Sequence, residues 1–262
     1  MKNRATVLIF LSFLFVSTLT FGQTLFADDF ESGAPSEEWG LFWAGEESLE
    51  VKEMGEAPAV LENGGSYVGF IQDVDNTYTG AAQAIAGEES MKDYSIEGDV
   101  YCYTNHSGGS AYTGLVVYAD SSVNTYIKLV ADFDGDQRLR LYNNKLNTTT
   151  FQFSFHHAFE AGDVPGGIPQ EDGWHKMKVE VKTISEDTTA YWCYFDGALL
   201  AGCPIYDTSE DIMSSGKYGV FSFSQGSGEG LPGYFDNIVV KPLETVVSVE
   251  EEEIIKLQPK EF

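Results

Sequence analysis

The chain has 262 residues, of which 43% are hydrophobic and 14% aromatic, and its formal net charge is −26. A negative field of this size repels nucleic acid and anionic lipid, so neither is expected as a partner. It suits a solvated acidic surface, a saline habitat or the binding of divalent cations. The length is enough for one large domain with a sizeable core.

The first 22 residues are typical of a signal peptide. Lys2 and Arg4 precede an apolar run from Val7 to Leu19 that is short for a bilayer span, and small residues stand before Gln23. An N-terminal membrane anchor is the alternative. Signal removal leaves a protein with no membrane insertion that is secreted to the extracellular space or cell surface, or stays in the periplasm.

The rest of the chain up to Leu243 lacks any long helical period. Short runs rich in Val, Ile, Tyr, Phe and Thr recur between Gly, Asn and Asp residues, which is typical of an all-β sandwich or barrel. The predicted strands cover residues 94–104, 112–120, 124–133, 137–144, 148–159, 174–184, 188–195, 217–224 and 234–241.

Alternation is clearest in the run Trp174–Val181. Met177, Val179 and Val181 share one face there, which predicts one buried and one wetter side. Two hairpins are predicted at Asp134-Gly135 and Asp196-Gly197, because type I′ turns need positive φ at both central residues.

Three cysteines allow one disulfide with one thiol left over. If Cys102 and Cys193 both face inward, they could meet in the core. Cys193 and Cys203 could instead close the local hairpin if a bulge lies near Gly202. The sequence leaves both pairings open.

A series of landmarks resembles the concanavalin A-like lectin/glucanase superfamily, in particular the laminin-G-like jelly rolls of bacterial secreted proteins. The resemblance implies an antiparallel two-sheet β-sandwich over residues 26–243. It does not define a ligand, because this fold hosts lectins, hydrolases, lyases and adhesion modules. The landmarks in chain order are Asp28–Glu31 with Trp39 or Trp43, the hairpin Tyr126–Tyr142, Gly173–His175, Tyr194–Gly197, Gly216–Phe221 and Gly233–Val240.

Laminarinase-like members of the superfamily hold a structural Ca²⁺ between the opening and closing strands. The resemblance implies that Asp29 and Asp236 are the matching ligands, and carboxylates are oxygen donors that calcium prefers. First and last strands commonly pair in such folds, which would bring the two acids together. The alternative is that Asp236 only caps a turn while Asp29 faces water.

Catalytic residues are not evident. Retaining hydrolases of the superfamily carry Glu-x-Asp-x-x-Glu, and the nearest match here, Glu97-Gly-Asp99, has Cys102 where the second Glu belongs. His156 and His157 point to opposite faces of one strand. His175 lies on the apolar face beside Met177, as expected for a core histidine. The sequence therefore leans against an enzyme.

The strand Tyr191–Phe195 offers a candidate carbohydrate-binding surface. The resemblance implies that Phe195, the residue before Asp196-Gly197, faces the core. Alternation then turns Trp192 and Tyr194 outward as a stacking platform for sugar rings. Arg138 and Arg140, which oppose the apolar face of their own strand, are expected as neighbours on an adjacent hairpin.

We therefore expect a non-catalytic carbohydrate-binding or adhesion-type module whose partner is a glycan or another cell-surface ligand. The alternative is a secreted glycoside hydrolase, either glucanase-like or 3-keto-disaccharide hydrolase-like. Residues 244–262 read as an acidic linker or tail. Its end, Leu257–Phe262, resembles the linker before C-terminal sorting domains of some Gram-negative exported proteins.

Overall fold

The computed structural model describes residues 23–41, 49–72, 82–104, 109–123, 125–133, 136–147, 150–152, 154–226 and 231–243. This part folds into two antiparallel β-sheets packed as a sandwich, with one short 3₁₀ turn at Met54–Glu56. The all-β prediction is confirmed. No helix within these ranges is long and apolar enough to cross a membrane. The predicted signal peptide and tail lie outside the described residues.

The first sheet has nine strands. They are β1 (Phe26–Asp28), β3 (Glu50–Glu53), β4 (Tyr67–Ile71), β6 (Tyr94–Cys102), β12 (Gly173–Ser185), β13 (Thr188–Phe195), β14 (Ala198–Leu199), β15 (Ile205–Asp207) and β17 (Gly233–Pro242). Their order is β14-β13-β12-β6-β17-β4-β3, with β1 paired to β17 and β15 paired to β13.

The second sheet has eight strands. They are β2 (Gly40–Leu41), β5 (Ala82–Ala86), β7 (Gly109–Asp120), β8 (Thr125–Asp132), β9 (Arg138–Asn147), β10 (Thr150–Gln152), β11 (His156–Phe159) and β16 (Lys217–Gly226). Their order is β10-β9-β8-β7-β16-β5-β2, with β11 paired to β9.

The core lies between the sheets, where the predicted alternation holds. Met177, Val179 and Val181 of β12 are fully buried in the same core cluster as Leu139 and Leu141 of β9. Burying each such side chain contributes roughly 1.5–3 kcal/mol. Because successive residues of a strand point to opposite faces, this packing also fixes which side chains the outer faces present.

The hairpin between β13 and β14 has the predicted turn. Asp196 and Gly197 both have positive φ, 48° and 77°, as a type I′ turn requires. The turn predicted at Asp134-Gly135 lies outside the described residues, although β8 and β9 do pair. The predicted run 148–159 is divided between β10 and β11, and the short strands β2 to β5 were missed.

The opening and closing strands pair, as predicted. Phe26 lies opposite Val240, and Asp28 lies opposite Ile238. Asp28 is the inward acid of the opening motif, and its carboxylate accepts hydrogen bonds from the Ser36 amide and from the Trp39 indole at 2.8 Å. The opening motif thus anchors a tryptophan to the core.

Candidate functional site

The outer face of the eight-stranded sheet presents polar and aromatic side chains around a lysine. Ile127 and Leu129 of β8 point into the core, so Tyr126, Lys128 and Asp132 project to the outer side. Neighbouring strands add further side chains. We define the Lys128 face as Gln83, Tyr112, Tyr126, Lys128, Asp132, Arg140, Tyr142, Asn144, Phe221 and Phe223.

Lys128 is 3% exposed and lies among three aromatic rings. Its Nζ is 3.5 Å from the ring centroid of Phe221, 4.7 Å from that of Tyr142 and 5.3 Å from that of Tyr126. Within the described ranges no carboxylate comes within ion-pair distance of it. Burial, and then the positive charge of Arg140, lowers the pKa of Lys128 well below its ordinary value.

Arg140 lies at the edge of this group and forms an ion pair. Its Nη1 is 3.0 Å from Oδ2 of Asp132, whose side chain is fully buried. The Arg140 Nε donates to Nε2 of His156 at 3.3 Å, and the guanidinium lies 5.9 Å from the Tyr112 ring centroid. Burial raises the pKa of Asp132 even though Arg140 lowers it. Burial and Arg140 also lower the pKa of His156.

Two amide side chains on this face are buried with unused hydrogen-bonding atoms. Asn144 donates to the Tyr126 hydroxyl at 2.6 Å, but its Oδ1 has no partner. Gln83 approaches the same hydroxyl, yet neither its Nε2 nor its Oε1 makes a well-formed hydrogen bond. Buried polar atoms are nearly always paired, so these atoms are exceptions among the described residues.

The predicted outward orientation of Trp192 and Tyr194 is confirmed, since both are half-buried between buried Tyr191, Cys193 and Phe195. They lie on the outer face of the nine-stranded sheet. The Tyr194 hydroxyl donates to Glu180 at 3.2 Å. Burial, and then Glu180, raises the pKa of Tyr194 to about 12.

The predicted neighbourhood of those aromatics with Arg138 and Arg140 is wrong. Both arginines belong to β9, which pairs with β8, β10 and β11 in the other sheet. The physical reason is that their hairpin folds into the second layer of the sandwich. Arg138 forms ion pairs with Asp136 and Glu160.

The two predicted calcium ligands differ in environment. Asp29 is exposed, and its Oδ1 accepts the Glu31 amide. Asp236 is 1% exposed and its Oδ2 has no hydrogen-bond partner. Burial, with Asp99, Glu31 and Asp29 nearby, raises the pKa of Asp236 to about 7. The described residues include no group of three His, Cys, Asp or Glu that could hold a metal ion, so the fit is partial.

A separate cleft of about 250 Å³ lies beside β2 and β5. Trp39, Leu41, Leu49 and Ala84 line it, and Ser36 supplies a hydroxyl. Its described lining residues include no titratable side chain. The chemistry is therefore concentrated on the Lys128 face.

Sequence reasoning missed Lys128, Gln83 and Asn144. The available signal was the run Tyr126–Ala131, in which Lys128 interrupts otherwise apolar or aromatic residues at an outward position. Gln83 and Asn144 gave no signal, because their proximity depends on the order of strands in the sheet.

No family model and no curated protein matches this chain. Solved structures do. Cellulose-induced protein Cip1 matches with a TM-score of 0.51 and 14% identity over 84% of this chain and 98% of that one. An endo-β-1,4-glucuronan lyase from the fungus Trichoderma reesei matches with a TM-score of 0.50 and 11% identity over 84% and 96%. These likenesses show the fold alone, a sandwich of antiparallel β-sheets.

Proposed function

We propose that this protein is a non-catalytic glycan-binding module and that the Lys128 face is its binding surface. The observation that carries the proposal is the set of buried, unpaired amide atoms of Gln83 and Asn144 beside aromatic rings. Sugars offer hydroxyl groups to such atoms and apolar ring faces to aromatic side chains. The Arg140–Asp132 pair supplies further donors and acceptors at the edge of the face.

The structural neighbours support a glycan ligand. One is named for its action on glucuronan and another for its induction by cellulose. Proteins with this same fold differ in function, so the fold alone does not define a ligand for this chain.

Hydrolysis has less support than binding. A glycosidase needs two carboxylates, one of which acts as an acid. Asp132 and Asp136 are neighbours, but each is held by an arginine, Asp132 by Arg140 and Asp136 by Arg138. Each carboxylate is already engaged by a guanidinium, which suits positioning better than proton transfer.

Elimination is the second candidate function. It requires a base and a group that neutralises the carboxylate of an acidic sugar. The lowered pKa of Lys128 favours a free amine, and Arg140 is a guanidinium on the same face. Lys128 would take the proton next to the sugar carboxyl group while the glycosidic C–O bond breaks, and the leaving oxygen would take a proton from water.

The outward pair Trp192 and Tyr194 is a weaker surface for the same ligand. Tyr194 is already engaged by Glu180, and Lys178 lies 4.9 Å from its ring. A sugar would have to displace these contacts. We therefore place the ligand on the Lys128 face and not on this pair.

The proposal has three further parts. The protein is secreted after removal of residues 1–22, it forms a single domain over residues 26–243, and it binds calcium at Asp29 and Asp236. Support for calcium comes from the unpartnered Oδ2 of Asp236. Ca²⁺ would supply charge neutralisation there, with Asp236 as an internal ligand and Asp29 as an exposed one.

A polysaccharide panel tests the proposed function. The mature protein is expected to retain at least one glycan without releasing reducing ends or unsaturated products. A Gln83→Ala/Asn144→Ala variant is expected to lose roughly tenfold in affinity, whereas Trp192→Ala, the control on the other sheet, loses less than about threefold. Release of reducing ends or unsaturated products would show that the protein is an enzyme. Equal losses of affinity in both variants would contradict the assignment of the Lys128 face as the binding surface.

A further inference from the structure

Lys128 is anomalous in a chain that has 41 acidic and 15 basic residues. Buried lysines ordinarily have a carboxylate partner, because desolvating an ammonium is costly. Three aromatic rings surround Lys128 instead, and cation–π contacts offset only a small part of the cost of desolvating an ammonium. Among the described residues, the free protein thus buries a basic group that has no carboxylate beside it.

We propose that the glycan bound by the Lys128 face contains a uronic acid, whose carboxylate is the missing partner of Lys128. This inference rests on the proposed function and names its ligand class. Arg140 adds positive charge from the neighbouring strand, where its guanidinium lies 5.5 Å from the ring centroid of Tyr142. The unpaired Oδ1 of Asn144 and the unpaired Nε2 and Oε1 of Gln83 remain for sugar hydroxyls.

Binding is then linked to protonation. The groups that surround Lys128 are Tyr126 on its own strand, Tyr142 and Arg140 on β9, Phe221 on β16 and Val116 on β7. None of them supplies a negative charge near neutral pH. A carboxylate from the ligand raises the pKa of Lys128 again, so binding takes up a proton and weakens as pH rises.

Titration calorimetry tests this with a polyuronate oligosaccharide and a neutral β-glucan oligosaccharide of equal length. The uronate is expected to bind at least roughly tenfold more tightly. Its binding enthalpy should differ between two buffers of different ionisation enthalpy, which reports proton uptake by the unmodified protein.

Lys128→Met is expected to remove both the preference for the uronate and the buffer dependence of its binding enthalpy. The matched control is Lys182→Gln, which replaces an exposed lysine of β12. Equal affinity for both sugars, or an absence of proton uptake, overturns the uronate inference while the proposed function stands. Failure of both sugars and of the whole panel overturns the proposed function itself.

A second inference concerns the cysteines, and the strand register excludes one of the two predicted pairings. Strand β12 pairs with both β6 and β13, and Gly173 lies opposite Cys102 whereas Val179 lies opposite Cys193. Six residues along a strand correspond to about 20 Å. A disulfide needs Cα atoms within about 7 Å, so Cys102 and Cys193 cannot be joined.

Cys203 lies beside Cys193. The Cys193 amide donates to Sγ of Cys203 at 3.4 Å. Strands β14 and β15 both pair with β13, and this contact lies in the gap between them. Gly202, with φ of 84°, turns the chain to bring Cys203 back. The hydrogen bond from the Cys193 thiol lowers the pKa of Cys203, so the half-buried thiol is the one that ionises first.

We infer that Cys193 and Cys203 form a disulfide when a small-molecule disulfide such as oxidised glutathione is present. Two thiols and one glutathione disulfide give one protein disulfide and two glutathione thiols, which carry away both hydrogens. Cys102 stays a buried thiol, because burial raises its pKa.

Peptide mapping of the oxidised protein without reduction is the test. A Cys193–Cys203 cross-linked peptide is expected, with Cys102 alkylated only after unfolding. Cys102→Ser should leave the cross-link intact, and Cys203→Ser should abolish it. A cross-link that includes Cys102, or three alkylated cysteines after oxidation and unfolding, contradicts the inference.

Discussion

The Nζ of Lys128 lies 3.5 Å from the ring centroid of Phe221 on the strand two places away in the eight-stranded sheet. Both side chains are almost fully buried, at 3% and 1% exposed. A lysine held against a phenylalanine ring without a carboxylate is costly for folding, so a gain in binding is the natural reason for its position.

Replacing Lys128 by Met should stabilise the protein by roughly 1–2 kcal/mol near neutral pH, because a desolvated amine is removed. The folded pKa of Lys128 is below its ordinary value of 10.5, so the unfolded state binds more protons between these two pKa values. Stability of the unmodified protein therefore rises with pH in that window.

Urea unfolding of both proteins at several pH values measures this effect. The advantage of Lys128→Met should shrink as pH approaches 10.5. A difference that does not vary with pH would show that Lys128 is charged in both states.

Arg140→Gln should destabilise the protein by roughly 1–3 kcal/mol, because it leaves the buried carboxylate of Asp132 without its ion-pair partner. Adding Asp132→Asn should restore most of the loss, since the remaining side chains are neutral. Thermal unfolding of the single and double variants checks this. An additive loss in the double variant would mean that the pair is not coupled.

Asp236→Asn should stabilise the protein above pH 7 by about 1–3 kcal/mol. The folded pKa of Asp236 is raised from 3.8 to about 7, so its contribution to stability is full below pH 3.8 and falls as pH rises to 7. In the unmodified protein, Oδ1 of Asp236 accepts a hydrogen bond from the Asn237 amide, and the substituted asparagine still offers an Oδ1 for it. Chemical unfolding at pH 5 and pH 8 gives the comparison, and an equal effect at both values would contradict the assignment.

Calcium should raise the melting temperature of the unmodified protein, and EDTA should reverse the rise, if Asp236 and Asp29 are ligands. Asp236→Asn should abolish the response. Asp187→Asn, an exposed acid in the turn between β12 and β13, is the control. If neither calcium nor EDTA changes the melting temperature of the unmodified protein, the proposed calcium site is contradicted.

Much of the fold could be predicted from the sequence, because alternation and Asp-Gly turns are local signals. The inward positions of Met177, Val179 and Cys193 followed directly from the period of two. The candidate site could not be predicted, because it depends on which strands become neighbours. Arg140 and Trp192 lie in different sheets, and local sequence contains no information on that assignment.

The early strands were missed for a related reason. Strand β5, Ala82–Ala86, carries mainly alanines and one glutamine, so neither its β-propensity nor its alternation is distinctive. It nevertheless places Gln83 opposite Phe221 on the Lys128 face.

The decisive measurement for glycan binding by the Lys128 face is the affinity for the best ligand of a polysaccharide panel. It is compared between the Gln83→Ala/Asn144→Ala variant and the Trp192→Ala variant of the mature protein. The account predicts a roughly tenfold loss in the first variant and little change in the second, with both variants folded by circular dichroism. Unchanged binding in Gln83→Ala/Asn144→Ala, together with loss in Trp192→Ala, would contradict it and place the ligand on the nine-stranded sheet.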